Sequence, residues 1–126
     1  MYHIVLIEDE IQLCKQIQNE LESTNKYIVH IFSSIKQIRK FLHEDYFYHF
    51  ALVDFELDPI KDRINGTHVI NDIIKKRPNI PIFSISGYDN YTTPENRNPN
   101  VSKFIPKPFT IRNLEIEIEK TLSHKL

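Results

Sequence analysis

The sequence predicts a single α/β domain built on a parallel β-sheet. Short apolar runs alternate along the chain with stretches whose apolar residues recur at helical spacing. The runs are apolar at successive positions, which is typical of strands that are buried on both faces. A helix between successive strands makes crossover connections, and these join parallel strands. Because the chain has 126 residues, we expect residues 1–126 to form one domain without a second one attached.

The first strand and helix are marked by a change of period. Residues 4–7 form an apolar run that stops at an acidic triplet, residues 8–10, which predicts a buried strand. From Ile11 the apolar residues recur at helical spacing, with polar residues between them. The stripe of this first predicted helix consists of Ile11, Cys14, Ile17 and Leu21.

The second and third predicted strands are also each followed by a predicted helix. Residues 27–32 predict a strand, Ser33 and Ser34 offer a helix N-cap, and an apolar stripe follows from Ile35 to Leu42. Residues 50–53 predict a third buried strand, which ends at Asp54. The next helix uses Val69, Ile70, Ile73 and Ile74, and ends near Pro78.

The fourth pair departs from the pattern. Residues 80–85 and 101–105 predict strands four and five, and a last helix begins near Thr110. Between these strands, residues 87–102 contain two prolines and four asparagines but no apolar stripe. We therefore expect a loop or a poorly formed helix where the alternation requires a full helix.

Composition excludes several classes of protein. The chain has 16 basic and 17 acidic residues, which argues against a basic nucleic-acid surface. No apolar run approaches the length of a membrane span, so we expect no membrane insertion. The single cysteine cannot form an internal disulfide, which indicates a reducing, cytoplasmic compartment. The six histidines show no metal-ligand spacing with the cysteine. The aromatic residues Tyr46, Phe47, Tyr48 and Phe50 are interpreted as a packed connection into strand three, with a partner surface as the alternative.

Polar side chains follow the carboxyl ends of four of the predicted strands. They are Glu8, Asp9, Glu10, Asp54, Ser86 and Lys107. In an open parallel α/β sheet these strand ends share one edge, where ligands bind. Capping of the next helix explains Glu10 and, in part, Asp9. It does not explain Lys107, which stands between two prolines.

The charges of this group predict a metal ion and a phosphoryl group. Two like charges about 4 Å apart repel by roughly 4 kcal/mol at an effective dielectric constant near 20. Glu8, Asp9 and Asp54 should therefore hold protons or bind a cation, and carboxylate oxygens suit Mg²⁺. Asp54 is then a candidate nucleophile toward a phosphoryl group. Ser86 and Lys107 are candidate contacts for the phosphoryl oxygens.

In these residues the chain resembles the receiver domain of two-component response regulators. The resemblance extends from Tyr2 to about Leu122 and depends on four segments in the same order and at nearly the same spacing. They are IEDE at 7–10, LVDFEL at 52–57, ISG at 85–87 and FIPKPF at 104–109. The resemblance implies a flavodoxin-like (βα)5 three-layer sandwich whose five-stranded parallel sheet has the order 2-1-3-4-5, with an irregular helix-four region.

The resemblance also implies a role for each matching residue. Asp54 is expected to be the phosphoacceptor, and Lys107 to contact the phosphoryl group. Ser86 is expected to be the switch hydroxyl, and Phe104 the aromatic residue that turns inward when that hydroxyl moves. The peptide between Lys107 and Pro108 is expected to be cis. The implied Mg²⁺ ligands are Glu8 through water, Asp9, Asp54 and the backbone carbonyl of Glu56.

The resemblance implies a stand-alone signalling protein and not an enzyme. Its phosphodonor would be a phosphohistidine on a sensor histidine kinase or a phosphotransfer protein, and its output a downstream protein target. We expect no direct contact with nucleic acid and at most slow autodephosphorylation, and a phosphorylation-dependent homodimer is compatible with the family. The main alternative is a receiver-like docking module that acts independently of phosphorylation. An aspartyl-phosphate phosphatase is disfavoured because no second catalytic acid is well placed.

Four features depart from the family pattern. Glu8 stands where aspartate is commoner, and its side chain is one methylene longer. The loop between Asp54 and Gly66 is longer than usual by about four residues and is a candidate for partner contacts. Pro106 removes a backbone donor, which is tolerated if strand five is a sheet edge. Residues 87–102 replace what is normally the fourth helix, part of the family's output surface.

Overall fold

The computed structural model describes residues 1–54, 66–86 and 101–124, in which strands and helices alternate. The strands are β1 (Tyr2–Ile7), β2 (Tyr27–Phe32), β3 (Phe50–Asp54), β4 (Ile82–Ser86) and β5 (Lys103–Pro106). The helices are α1 (Ile11–Glu22), α2 (Ile35–His43), α3 (Gly66–Lys76) and α4 (Ile111–His124). None of the described helices has the length and apolar character that crossing a membrane requires.

All five strands are parallel and lie in the order β2-β1-β3-β4-β5. This confirms the predicted flavodoxin-like sheet. In the register, Ile7 lies opposite Phe32 on one side and Val53 on the other. The residues that follow β1 therefore lie beside Asp54, the last residue of β3. β5 is an edge strand, which is where a proline such as Pro106 is tolerated in a sheet.

Both faces of the sheet are buried, as the continuous apolar runs predicted. Side chains such as Leu6 and Leu52 pack under α1 and α4 in one cluster. Side chains such as Val5 and Val53 pack under α2 and α3 in a second cluster, which we call the α2–α3 cluster. Because full burial of one large apolar side chain contributes about 1.5–3 kcal/mol, these two clusters hold the three layers together.

The helix starts agree only in part with the sequence-based expectations. Ser34 caps α2, and its side chain accepts a hydrogen bond from the backbone of Gln37 in a full capping box. Glu10 occupies the N-cap position of α1 but makes no side-chain capping hydrogen bond. The expectation that capping accounts for Glu10 is therefore wrong. Its backbone N–H instead donates to the Glu8 carboxylate, 3.2 Å away.

Two further expectations are corrected by the structure, and two concern residues outside the described ranges. β4 begins at Ile82, two residues later than expected, because Pro81 has no N–H for the ladder. Phe47 is 66% exposed, so residues 46–50 are not packed throughout. Residues 55–65 and 87–100 lie outside the described residues. The predictions about the longer loop and the irregular helix-four region therefore stay predictions.

Candidate functional site

Three carboxylates meet at the carboxyl edge of the central strands. Glu8 and Asp9 follow β1, and Asp54 ends the neighbouring strand β3. Each residue offers one carboxylate oxygen, and these three oxygens lie within 4.8 Å of one another. Glu8 and Asp54 are buried, whereas Asp9 is exposed. The structure thus brings together the acidic residues that the sequence placed at this edge.

Lys107 reaches this acidic group from the far side of β4. Its ammonium nitrogen lies 3.2 Å from Oε2 of Glu8 and 3.7 Å from Oδ2 of Asp54. Lys107 directly follows the edge strand β5, and the peptide that joins it to Pro108 is cis, as expected. About a quarter of its side chain is exposed, so the charge lies at the surface end of the site.

Glu8 is the most deeply buried of these residues, and its two carboxylate oxygens differ. Oε1 accepts the hydrogen bond from the backbone of Glu10. Oε2 is in ion-pair contact with Lys107 but has no hydrogen-bond partner of suitable geometry among the described residues. An incompletely partnered buried carboxylate is costly unless a cation or a proton compensates it. Glu8 is therefore expected to bind either a cation or a proton.

The ionisation of the group reflects its burial. Desolvation raises the pKa of Glu8 from 4.5 to about 8, and the charge of Asp54 adds to this effect, while Lys107 opposes it. Burial alone would lower the pKa of Lys107, but the carboxylates of Asp54 and Glu8 outweigh it and the net shift is upward. The ammonium group therefore stays charged, and the metal-free acidic group retains a proton near neutral pH.

The donor set fits Mg²⁺. All three candidate ligands are carboxylates, which a hard cation prefers, and within residues 1–54, 66–86 and 101–124 no nitrogen or sulfur donor joins them. Oε2 of Glu8, which has no hydrogen bond among the described residues, would gain a further contact from a cation in this place. Glu56, the fourth ligand that the resemblance implied, lies outside the described residues.

The two predicted switch residues lie on β4 and on the neighbouring edge strand β5. Ser86 is the last residue of β4, one position beyond the register partner of Asp54. Phe104 lies on β5, half-buried, where it packs against the α2–α3 cluster. Their backbone positions agree with the predicted roles, and the roles themselves stay predictions.

An apolar recess lies beside the charged group. It has a volume of about 330 Å³ and is lined by Leu13, Lys107, Pro108 and Phe109. Ile11, at the start of α1, is 47% exposed. Apolar surface therefore lies next to the charged site.

Sequence reasoning placed the acidic residues at the correct edge of the sheet but did not predict which of them are buried. It did not distinguish the buried Glu8 from the exposed Asp9. No local signal separates the two, because both faces of the sheet are buried and the period of two within β1 therefore does not mark an exposed side. The ion pair between Lys107 and Glu8 had no local signal, because the two residues are brought together only by the sheet.

Comparison with protein families gives a match over most of the chain. The family model described as the response regulator receiver domain matches residues 4–119. No curated protein sequence matches the chain significantly.

Solved structures with the same fold are numerous, and three illustrate the likeness. Response regulator TrrA of Thermotoga maritima, solved in complex with Mg²⁺-BeF, is 21% identical with a TM-score of 0.76, covering 95% of this chain and 98% of its own. A CheY-like receiver domain protein of Methanospirillum hungatei is 24% identical with a TM-score of 0.74, covering 98% and 95%. NtrX of Brucella abortus is 22% identical with a TM-score of 0.81, but the match covers 98% of this chain and only 28% of NtrX.

Proposed function

The chain belongs to the family of response regulator receiver domains, and we propose that it is a phosphorylation-controlled signalling switch whose phosphoacceptor is Asp54. The observation that carries this proposal is the convergence of Glu8, Asp9, Asp54 and Lys107 at one edge of the sheet. Three acids within 4.8 Å of one another, two of them paired with one ammonium group, suit a divalent cation together with a phosphoryl group.

The proposed reaction transfers a phosphoryl group from a phosphohistidine to Asp54. A carboxylate oxygen of Asp54 attacks phosphorus, the P–N bond of the donor breaks, and the departing imidazole takes up a proton. Mg²⁺, held by Glu8, Asp9, Asp54 and the carbonyl of Glu56, would neutralise charge on the carboxylates and the phosphoryl oxygens. Lys107 exchanges its ion pair with Glu8 and Asp54 for a contact with the phosphoryl oxygens.

The proposed switch uses Ser86 and Phe104. The hydroxyl of Ser86 hydrogen-bonds the new phosphoryl group, and Phe104 turns inward on β5. Because Phe104 is only half-buried against the α2–α3 cluster, it has room to change its packing without leaving the core empty. Phosphorylation then shifts the population between two conformations that a partner distinguishes.

The proposed partners are proteins of a two-component pathway. The phosphodonor is a sensor histidine kinase or a phosphotransfer protein, and the apolar recess beside Lys107 suits the side of a protein that carries the phosphohistidine. The output is a cytoplasmic protein target, reached by a receiver domain that has no catalytic activity beyond slow autodephosphorylation. A homodimer that forms on phosphorylation is compatible with this scheme, and the exposed Ile116 of α4 is a candidate contact.

The direct test is phosphorylation by a small-molecule donor. The protein is incubated with acetyl phosphate and Mg²⁺ and weighed by mass spectrometry. We expect the mass of one phosphoryl group to be added to the wild type and none to Asp54→Asn. Asp45→Asn is the matched control, since Asp45 is an exposed carboxylate paired with Arg77 away from the site. Equal addition to wild type and Asp54→Asn, or no addition to either, would refute the phosphoacceptor role.

The alternative is a docking module that acts independently of phosphorylation. It is favoured by one observation: Glu8, in place of the commoner aspartate, already engages Lys107. Binding to a captured partner would be compared for wild type and Asp54→Asn, each with and without Mg²⁺ and acetyl phosphate. A switch requires that only the phosphorylated wild type changes its affinity, whereas equal affinity in all four samples supports docking.

A further inference from the structure

Three histidines meet at the end of the sheet opposite to the acidic site. His3 lies on β1, His30 on the neighbouring strand β2, and His49 directly before β3 on the other side of β1. All three are half-buried. We refer to these residues as the histidine cluster. Phe47, which is largely exposed, packs with its ring edge-on against His49, with ring centroids 4.8 Å apart.

His49 binds β1 through both its backbone and its ring. Its backbone N–H donates to the carbonyl of His3 over 2.8 Å, as in a regular ladder. In return, the backbone N–H of His3 donates to Nδ1 of the His49 ring over 3.0 Å. The ring nitrogen thus takes the place where a parallel ladder would supply a backbone carbonyl. Because Nδ1 accepts, the neutral ring must carry its proton on Nε2.

His3 and His30 share a second hydrogen bond. Nδ1 of His3 and Nε2 of His30 are 2.9 Å apart, and the rings are within 14° of parallel with centroids 5.2 Å apart. The rings therefore meet edge to edge through their nitrogens, and one proton lies between them. A first extra proton can bind at a nitrogen outside this bond and leave it intact. A second one makes both facing nitrogens donors, so the bond is lost.

The surroundings of His49 and His30 favour the neutral form of these two rings. Burial lowers the pKa of His49, and His3 and the amino terminus add to this effect. Burial also lowers the pKa of His30, with His3 adding to the effect and Glu22 at the end of α1 opposing it. Tyr2 on β1 also packs against His49, with its ring edge-on and the ring centroids 5.3 Å apart. Asp45, in the segment between α2 and β3, is paired with Arg77, which follows α3, at 2.6 Å.

We propose that the histidine cluster is a proton-sensitive latch on the amino end of β1, with His49 as its one-proton switch. Protonation of His49 must occur at Nδ1, where it converts the acceptor for the His3 N–H into a second donor. The hydrogen bond is lost and the amino end of β1 loosens, while the backbone bond from His49 to the His3 carbonyl remains. The latch is independent of the phosphoacceptor proposal, because it lies at the other end of the sheet.

The test follows the amide of His3 by NMR. Hydrogen exchange is measured between about pH 5 and pH 8, the range in which histidine titrates, and is corrected for the intrinsic rate of the unfolded chain. One backbone hydrogen bond contributes about 0.5–1.5 kcal/mol, so we expect the protection of this amide to fall by up to about tenfold as the pH is lowered. The ¹⁵N shift of His49 Nδ1 should change over the same pH interval.

Two variants separate the latch from a general effect of pH. His49→Asn places a non-titrating amide oxygen near the position of Nδ1, so protection should no longer change with pH. His43→Gln removes an exposed histidine at the end of α2 and should leave the change intact. The proposal is overturned if wild-type protection is flat over this range, if His49→Asn retains the change, or if the His49 ring titrates without any response of the His3 amide.

Discussion

At the scale of single residues, Glu8 shows how burial alters chemistry. Asp9, its neighbour in the sequence, is exposed and has no such environment. Glu8 is enclosed against Lys107 and Asp54, and one of its oxygens lacks a hydrogen bond among the described residues. The same residue type on the surface would be unremarkable, so the position within the sheet makes it a functional candidate.

The raised pKa of Glu8 makes the stability of the metal-free protein depend on pH. The folded state keeps a proton on Glu8 up to about pH 8, whereas the unfolded chain releases it near 4.5. The free energy of unfolding should therefore decrease as the pH rises through this interval. Urea denaturation in the presence of a chelator should show this decrease in wild type and a smaller one in Glu8→Gln. A slope that is identical in the two proteins would contradict the assignment to Glu8.

Ser84 provides a second test at this scale. It is fully buried in β4, and its hydroxyl has no hydrogen-bond partner among the described residues. An unsatisfied buried hydroxyl costs about 1–3 kcal/mol, while its removal leaves only a small space. Ser84→Ala should therefore unfold at an equal or higher urea concentration than wild type. A clear loss of stability would show that the hydroxyl has a partner that matters.

At the scale of elements, the start of α2 is stabilised by local hydrogen bonds, and a single substitution tests their contribution. Ser34 and Gln37 form a capping box, and α2 buries only Ile38 and Phe41 completely. Replacing a capping serine by alanine costs typically about 1 kcal/mol. Ser34→Ala should lower the free energy of unfolding by this amount, as measured by urea denaturation. Ser33→Ala is the control, because the Ser33 hydroxyl accepts no backbone N–H of the helix and makes only a 3.4 Å hydrogen bond to Oε1 of Gln37, so its loss should change stability less.

At the scale of the whole molecule, the fold places a cation-binding group of acids and a cluster of neutral histidines at opposite edges of the sheet. The carboxyl edge of the sheet gathers acids that favour a cation, and the amino edge gathers imidazoles that favour neutrality. Both depend on the parallel arrangement, which sends all strand starts to one edge and all strand ends to the other. The acidic edge should therefore respond to metal and the amino edge to acid.

Addition of Mg²⁺ should stabilise the whole fold. A ligand that binds only the folded state at 100 times its Kd adds about 2.7 kcal/mol to the free energy of unfolding. The Tm of wild type should therefore rise with Mg²⁺ concentration, and Asp54→Asn should show a smaller rise, because it removes one of the carboxylates. His49→Asn lies at the opposite edge and should respond to Mg²⁺ as wild type does. An equal rise in wild type and Asp54→Asn would argue against a site at the acidic edge.

The amino-acid sequence by itself determined the strands, the helices, the order of the sheet and the edge at which Glu8, Asp9, Asp54 and Lys107 meet. These features follow from local apolar periodicity and from the rule that parallel strands end at one edge, together with the family resemblance. The tertiary structure alone decided that Glu8 is buried and Asp9 exposed, that Lys107 pairs with Glu8, and that three distant histidines meet. Burial and contact across the sheet depend on register and side-chain direction, which local sequence patterns do not encode.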